Sequence, residues 1–187
     1  PRPVEIIVVD DDSADRTLEI TAAFAAQSPV PVRVLRNGAR NISRGRNIGL
    51  AAATTPIVAF LDSDAYAEPG WLAGIQAAFA AHPDAAVVGG GVETAYATRF
   101  ARAIAVNDGA VRSAATTGSL LVCGANLAVH RDRSGGAEFD ERWVYAEDIE
   151  FAHRVRRWVI VPHARVRHAS RATVRGYARQ MYRYGFW

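Results

Sequence analysis

The sequence contains no lysine, and all 22 of its basic residues are arginine. It has one cysteine, Cys123, which excludes an intrachain disulfide, and the apolar neighbours of Cys123 favour a buried, unreactive thiol. No apolar run approaches the roughly 20 residues that a membrane-spanning helix needs, and no secretory signal pattern opens the chain. We therefore expect a cytoplasmic protein of a reducing compartment, at most peripheral to the inner face of a membrane.

Charge is distributed unevenly along the 187 residues, a length that suits one domain over 1–187. All 19 acidic residues lie at or before Glu150, whereas 151–187 contains arginine and no acid. The segment 171–187 is predicted to form a basic amphipathic helix. Its arginines recur every four residues, at positions Arg171, Arg175, Arg179 and Arg183. Because like charges at this spacing destabilise an isolated helix, we expect an anionic membrane surface, a phosphorylated acceptor or an acidic protein face beside them.

Two apolar runs end in aspartates. Ile6–Val9 predicts a central parallel strand covered on both faces, and it is followed by Asp10–Asp12. Ile57–Leu61 predicts a second buried strand, followed by Asp62, Ser63 and Asp64. Ligands of open α/β sheets bind at the carboxyl ends of strands, and carboxylates at i and i+2 can share one Mg²⁺. An acidic turn of this kind is by itself more often a helix cap, so the rest of the chain decides between the two interpretations.

Basic residues surround a helix that is predicted to begin near Ser43. Arg40, Arg44 and Arg46 lie near its N-terminus, where cations oppose the helix macrodipole at a cost of some tenths of a kcal/mol each. An anionic ligand would remove this cost. The sequence leaves open whether these arginines bind a phosphate or form a solvated face.

Later segments supply further candidates. Glu147 and Asp148 lie in the first turn of a predicted amphipathic helix, where one of them is placed to act as a general base. His168 lies at the end of the second of two short predicted strands and is a candidate metal ligand. Three glycines at the end of the strand in AAVVGGGVET indicate a close backbone approach. The segment 93–118 has no firm period and is predicted to form a surface helix and loop.

Taken in order, these segments resemble the inverting family-2 glycosyltransferases of the GT-A fold, which use nucleotide-diphosphate sugars. The resemblance rests on VVDDDSADRT, RNIGLA, FLDSD, PGWL, CGANLAV, FDER, AEDIEFAHRVRR and VRH. It implies an α/β, Rossmann-like GT-A fold with a mostly parallel central sheet flanked by helices. It also implies transfer of a sugar from a UDP- or GDP-sugar to an acceptor hydroxyl, with Mn²⁺ or Mg²⁺ as cofactor. The acceptor is not specified, and no nucleic acid is expected as a partner.

The resemblance assigns roles at matching positions. Asp10 or Asp11, with Asp11 preferred, would bind the nucleobase, and Arg46 and Asn47 would line the nucleotide pocket. Asp64 would bind the metal, and Asp62 would bind the ribose or the metal. Ser63 would contact the nucleotide sugar between them, and His168 would complete the metal shell. Gly124 and Asn126 would lie in the strand behind the donor sugar. Asp148 would be the base that deprotonates the acceptor, with Glu147 beside it.

The chain departs from the family pattern in three places. The family begins with an additional strand and a turn that helps to hold the nucleotide, and we expect that residues outside the given sequence supply them. A glycine-containing turn between Arg157 and Trp158 is missing, and the segment before Phe139 is short. A noncatalytic GT-A-like nucleotide-binding or assembly module is therefore the alternative function. A nucleotidyltransferase is a third, against which the lack of a glycine- and lysine-rich phosphate loop counts.

Overall fold

The structure is a computed structural model that describes residues 1–95, 98–100, 122–169 and 173–186. Most of the segment 93–118, predicted as a surface helix and loop, lies outside these residues. The elements are β1 (Ile6–Asp10), α1 (Thr17–Gln27), β2 (Val32–Arg36), α2 (Ile42–Ala52), β3 (Ile57–Leu61), β4 (Ala65–Ala67), α3 (Trp71–Ala81), β5 (Val87–Ala95), β6 (Asn126–His130), α4 (Glu147–Val155), β7 (Trp158–Ala169) and α5 (Val174–Phe186). Among the described residues, none of the helices has both the length and the hydropathy required to cross a bilayer.

The described strands form two sheets. A small sheet pairs β1 with β2 in parallel, and a five-stranded sheet has the order β3-β6-β5-β7-β4. In the larger sheet β5 and β7 are parallel, while β3–β6, β5–β6 and β4–β7 are antiparallel. The α/β class is confirmed, but strand pairing is mixed where the sequence predicts a mostly parallel sheet.

The position of β1 differs from the prediction. Within the described residues β1 pairs with β2 alone, and residues 6–9 are half-buried, so the expectation of a central strand is wrong. One face of β1 packs on α2, where Val9 lies under Gly45 and Gly49. An apolar run indicates how much of a strand is removed from water, and it does not specify how many strands lie beside it.

Helices cover both faces of the five-stranded sheet. Successive side chains of a strand point to opposite faces, so each apolar strand contributes to a cluster on either side. On the face toward α2 and α4, the buried cluster consists of Leu50, Ala86, Val87, Val122, Leu127, Val129, Phe139, Phe151 and Ala152. On the face toward α3, it consists of Ile75, Ala78, Phe79, Val88, Ala128, Val161 and Ala164. The adjacent residues Val87 and Val88 thus belong to different clusters, and the sheet is held between two layers of helices.

The pairing of the long strands β5 and β7 is interrupted by a shift of register. The shift lies between Gly90 and Gly91, so β5 pairs with two segments of β7. The prediction of two short strands is nevertheless wrong, because Trp158–Ala169 continues through this irregularity as one strand. A Cβ on Gly90 would overlap the Asn126 amide and the Ala164 carbonyl, which explains why glycine is needed at this close approach. The second segment of β7 pairs with β4, and this pairing places His168 beside Ala65.

The C-terminal helix α5 carries the predicted arginine stripe. Arg175 and Arg179 are exposed, and so are the apolar side chains of Val174 and Met181. Tyr177 contacts the ring of Phe100 edge-on, with ring centroids 6.3 Å apart. Arg171 and the Arg183 side chain lie outside the described part of the chain.

Candidate functional site

The turn between β3 and β4 presents two carboxylates at one end of the sheet. The apolar strand β3 ends at Leu61, and the Ala65 N–H donates to the Asp62 carbonyl at 3.0 Å, which closes the turn. Ser63 is exposed in this turn. Because Ala65 starts β4 and pairs with His168 of β7, the pairing of these two strands brings the imidazole to the two aspartates.

The three side chains form a group that could hold a metal ion. His168 Nε2 lies 3.1 Å from Asp64 Oδ1 and 3.8 Å from Asp62 Oδ2. One ligand atom from each residue lies within 4.8 Å of the others, and all three side chains are partly exposed. Carboxylate oxygens with one imidazole nitrogen suit Mn²⁺, and Mg²⁺ also binds to one or two carboxylates and completes its shell with water and phosphate. The residues present therefore fit either ion.

A second acidic pair lies at the start of α4. Glu147 and Asp148 occupy its first turn, after Ala146 in the left-handed region at φ 58°. Asp148 accepts hydrogen bonds from the backbone N–H groups of Gly124 and of Ile149. These two donors fix the orientation of the Asp148 carboxylate at the start of the helix. Asp148 is half-buried, whereas Glu147 is buried.

Arg46 of α2 connects the two acidic pairs. Its guanidinium forms a short ion pair with Glu147 and lies 3.7 Å from Asp62 Oδ1. The side chains of Arg46 and Glu147 are only 8% and 7% exposed. The guanidinium also lies 5.4 Å from the centre of the Phe139 ring. A Cβ on Gly124 would overlap it, so the glycine makes room for the buried cation.

The charged groups of the two acidic pairs influence one another's pKa values. Burial raises the pKa of Asp62, and the nearby charges of Arg46 and His168 oppose this rise. The carboxylates of Asp64 and Asp148 raise the pKa of Asp62 further, so the charge of Asp148 in α4 acts on the β3–β4 turn. Burial likewise raises the pKa of Glu147, against the lowering effect of Arg46. The structure thus brings together six residues from four parts of the chain, namely Asp62 and Asp64 of the β3–β4 turn, Glu147 and Asp148 of α4, Arg46 of α2 and His168 of β7.

The side-chain amides of the predicted site residues Asn47 and Asn126 are used in hydrogen bonds within the protein. The Asn47 amide donates to the Phe139 carbonyl at 2.8 Å and accepts from the Phe139 N–H at 2.7 Å. The Asn126 amide donates to the carbonyls of Gly91 and Ala164, and its oxygen accepts from Trp71 Nε1. The Asn47 contacts hold the loop before α4, and the Asn126 contacts hold β5 and β7 together where their register shifts.

The aspartates after β1 have different partners. Asp10 is buried, and its Oδ2 accepts a 3.4 Å hydrogen bond from the Ser13 N–H, while Oδ1 has no hydrogen-bond partner among the described residues. Because Val9 faces α2, Asp10 faces the opposite side of the strand. Asp11 Oδ1 accepts from the Arg40 N–H at 2.7 Å, in the loop before α2. The side chains of these neighbours therefore point to different sides.

The sequence interpretation missed Phe139. This buried ring lies under Arg46, stacks on Phe151 of α4 with centroids 4.2 Å apart, and meets Phe60 of β3 edge-on. The only sequence signal was an aromatic residue at the start of FDER, a short distance before the acidic pair. One ring thus contacts the elements that carry both groups of acids.

Comparison with known proteins agrees with this architecture. The model of the family "Glycosyl transferase family 2" matches residues 1–119. The uncharacterized glycosyltransferase alr2836 of Nostoc sp. is 34% identical over 61 residues, which are 33% of this chain and 19% of that protein.

Solved GT-A structures superimpose over most of the chain. S. aureus TarS in complex with UDP gives a TM-score of 0.65 at 18% identity and covers 88% of this chain. The mannosyltransferase PcManGT from Pyrobaculum calidifontis, in complex with GDP-Man and Mn²⁺, gives 0.66 at 20% identity and covers 94%. The fold is therefore the GT-A fold. The chain spans 51% and 50% of these two solved chains.

Proposed function

Because this chain belongs to glycosyl transferase family 2, we propose that it transfers a sugar from a nucleotide-diphosphate sugar to an acceptor hydroxyl. The observation that carries the proposal is the convergence of acids from the β3–β4 turn and from α4 around Arg46. A transferase of this kind needs a site for the leaving diphosphate and a base for the acceptor, and the two acidic pairs divide these tasks.

The β3–β4 turn is the proposed diphosphate end of the site. Asp62, Asp64 and His168 would hold Mn²⁺ or Mg²⁺, which would supply positive charge to the departing nucleoside diphosphate. The partial exposure of these side chains leaves room for phosphate oxygens beside them. Ser63, exposed between the two aspartates, would contact the donor from the same turn.

Of the two acids in α4, Asp148 is the better general base. Glu147 is buried and neutralised by Arg46, so it is poorly available to an acceptor. Asp148 is half-buried, and backbone N–H groups orient both of its oxygens. It would take the hydroxyl proton while the acceptor oxygen bonds to the anomeric carbon. The bond to the diphosphate would break on the opposite face, which gives inversion in one displacement.

The nucleoside is proposed to bind beside the carboxyl end of β1. Asp11 accepts a hydrogen bond from the loop that precedes α2. We favour Asp11 over Asp10 as the residue that binds the base, because its side chain lies on the side of this loop. Asp10 instead holds the turn at Ser13 through one oxygen. The solved relatives contain UDP in one case and GDP-Man in the other, so both bases belong in the first test.

The exposed side of α5 is the proposed contact with an anionic surface. Apolar Val174 and Met181 are 64% and 39% exposed, and Tyr182 is 72% exposed. Arg175 and Arg179 border them. Apolar residues flanked by arginines are typical of helices that lie on anionic bilayers. We therefore propose peripheral binding to a membrane that would present the acceptor.

Isothermal titration with UDP and GDP, each with and without Mn²⁺, tests the donor site. We expect one nucleotide to bind with Mn²⁺ and to bind much more weakly without it, and the matching nucleotide sugar to be turned over. Nucleotide binding without sugar transfer or donor hydrolysis would favour the noncatalytic module instead.

A further inference from the structure

One side of α2 contacts the loop that leads into α4. We call residues 139–147 the acidic loop, because it ends at Glu147. The N-cap Asn41 donates to the Glu141 carbonyl at 2.8 Å, and Ser43 Oγ donates to the Trp143 carbonyl at 2.7 Å. Further along α2, Arg46 pairs with Glu147 and Asn47 binds the backbone of Phe139.

The helical spacing explains why one helix can reach along the whole acidic loop. Residues three, four and seven positions apart lie on one side of a helix, and positions 43, 46, 47 and 50 follow this rule. Leu50, the last of them, packs in the same buried cluster as Phe139. The contacts therefore form a continuous row of polar and apolar interactions.

The Asn47 contact is specific for an amide of this length. Its oxygen accepts a hydrogen bond from the Phe139 N–H and its nitrogen donates to the Phe139 carbonyl. The amide thus satisfies both backbone groups of one residue, as a paired strand does. Alanine would leave both buried backbone groups without these partners, and aspartate would lose the donor. Phe139 in turn stacks on Phe151 of α4, so its position is transmitted to the helix that carries Asp148.

We propose that Asn47 and Ser43 are positioning residues that set the distance between the Asp148 carboxylate and the β3–β4 turn, and that Asn47 does not bind the nucleotide. The inference rests on the proposed function, because it concerns the base of that same reaction. It replaces the role in the nucleotide pocket that resemblance alone gives to Asn47. General-base catalysis is sensitive to such placement, and an error of about 1 Å can cost on the order of 100-fold in rate.

The test compares Asn47→Ala with Arg131→Ala in the full chain. Arg131 Nη1 donates to the Ala53 carbonyl at 2.6 Å, so this control also loses a tie to a distant backbone carbonyl, but away from the acidic loop. Hydrogen exchange, the dissociation constants of UDP and GDP with Mn²⁺, and the kcat and KM of donor turnover are measured. Ser43→Ala, which loses the single bond to Trp143, is a milder second variant if Asn47→Ala does not fold.

We expect Asn47→Ala to speed hydrogen exchange across the acidic loop and to lower kcat by roughly 10- to 100-fold. The nucleotide dissociation constant and the donor KM should stay within about twofold of wild type. Ser43→Ala should show the same split with a smaller fall in kcat, and Arg131→Ala should change neither loop exchange nor kcat.

Two results would overturn the inference. Weaker nucleotide binding, in proportion to the fall in kcat, would put Asn47 in the nucleotide pocket. Faster loop exchange with an unchanged kcat would show that the position of the loop does not matter. If wild type turns over no nucleotide sugar, the proposed function fails. Normal nucleotide binding with faster loop exchange would then uphold the structural part of the inference, and unchanged exchange would refute it.

Discussion

Replacing Arg46 by methionine should be one of the most damaging single changes in this chain. The guanidinium is buried, pairs with the buried Glu147, and is close to Asp62 and to the face of Phe139. Methionine preserves much of the volume but leaves the Glu147 carboxylate buried without its counter-charge. The substitution therefore isolates the electrostatic part of the contact.

The size of the effect follows from the burial of the pair. Removing one partner of a buried ion pair costs about 3–5 kcal/mol of unfolding free energy, because the remaining charge stays desolvated. For a chain of this size this corresponds to a fall in Tm of roughly 6–20 °C. Replacing Arg46 and Glu147 together by methionine should recover most of the loss, since no charge of the pair remains. Recovery should be incomplete, because Asp62 also loses a counter-charge.

The pH dependence gives an independent check. Burial raises the pKa of Glu147 and Arg46 opposes the rise, so Arg46→Met should raise this pKa further. A carboxyl group with a higher pKa in the folded than in the unfolded state favours folding at low pH and opposes it as pH rises. The stability gap between wild type and Arg46→Met should therefore widen as pH rises above the pKa that the Glu147 carboxyl group has in the unfolded chain.

Urea unfolding of the two single variants, the double variant and wild type measures the coupling between the residues. A loss below about 1 kcal/mol for Arg46→Met, or a gap that does not change with pH, would refute the assignment of a buried ion pair. Glu147→Met alone, which leaves Asp62 as the remaining acidic partner of the arginine, is the matched control for the loss of Glu147.

Three further outcomes are expected. Asp148→Asn should abolish sugar transfer while nucleotide binding, measured by titration, stays nearly unchanged; undiminished turnover would remove Asp148 from the role of base. Gly124→Ala should lower the unfolding free energy by about 1–3 kcal/mol in urea, because the added Cβ meets the buried Arg46; an unchanged value would mean that the site relaxes freely. Replacing Arg175 and Arg179 by glutamine should weaken sedimentation with phosphatidylglycerol vesicles by roughly 30-fold, since each arginine near the surface contributes about 1 kcal/mol. Wild-type binding that does not fall with added salt would contradict a membrane role.

Local patterns predicted the parts of the site that local structure determines. An apolar run followed by DSD predicts a buried strand that delivers carboxylates to an edge, and β3 with its turn delivers them. The predicted burial is wrong, because β3 is the end strand of its sheet within the described residues, with four half-buried residues and an exposed Leu61. AEDIEFAHRV predicts a helix with acids in its first turn, and α4 begins at Glu147. In both places the residues that decide the structure are neighbours in sequence.

The remaining features depend on contacts between distant residues. Asn47 binds the backbone of Phe139, 92 positions away, and no periodicity in RNIGLA indicates this partner. Arg46 looked like a candidate for a phosphate because it lies near a helix N-terminus, yet the acids that pair with it come from other elements. The edge position of β1 likewise depends on which strands lie beside it, and its own sequence does not contain this information.

The most direct test of the central claim is a screen of UDP- and GDP-sugars for donor hydrolysis or transfer, with and without Mn²⁺, on wild type and Asp64→Ala. The central claim is that the acids of the β3–β4 turn and of α4 act on one metal-bound sugar nucleotide. We therefore predict that wild type turns over at least one nucleotide sugar only with the metal, and that Asp64→Ala does not. Turnover that is unaffected by Asp64→Ala, or nucleotide binding without turnover of any sugar, would contradict the account.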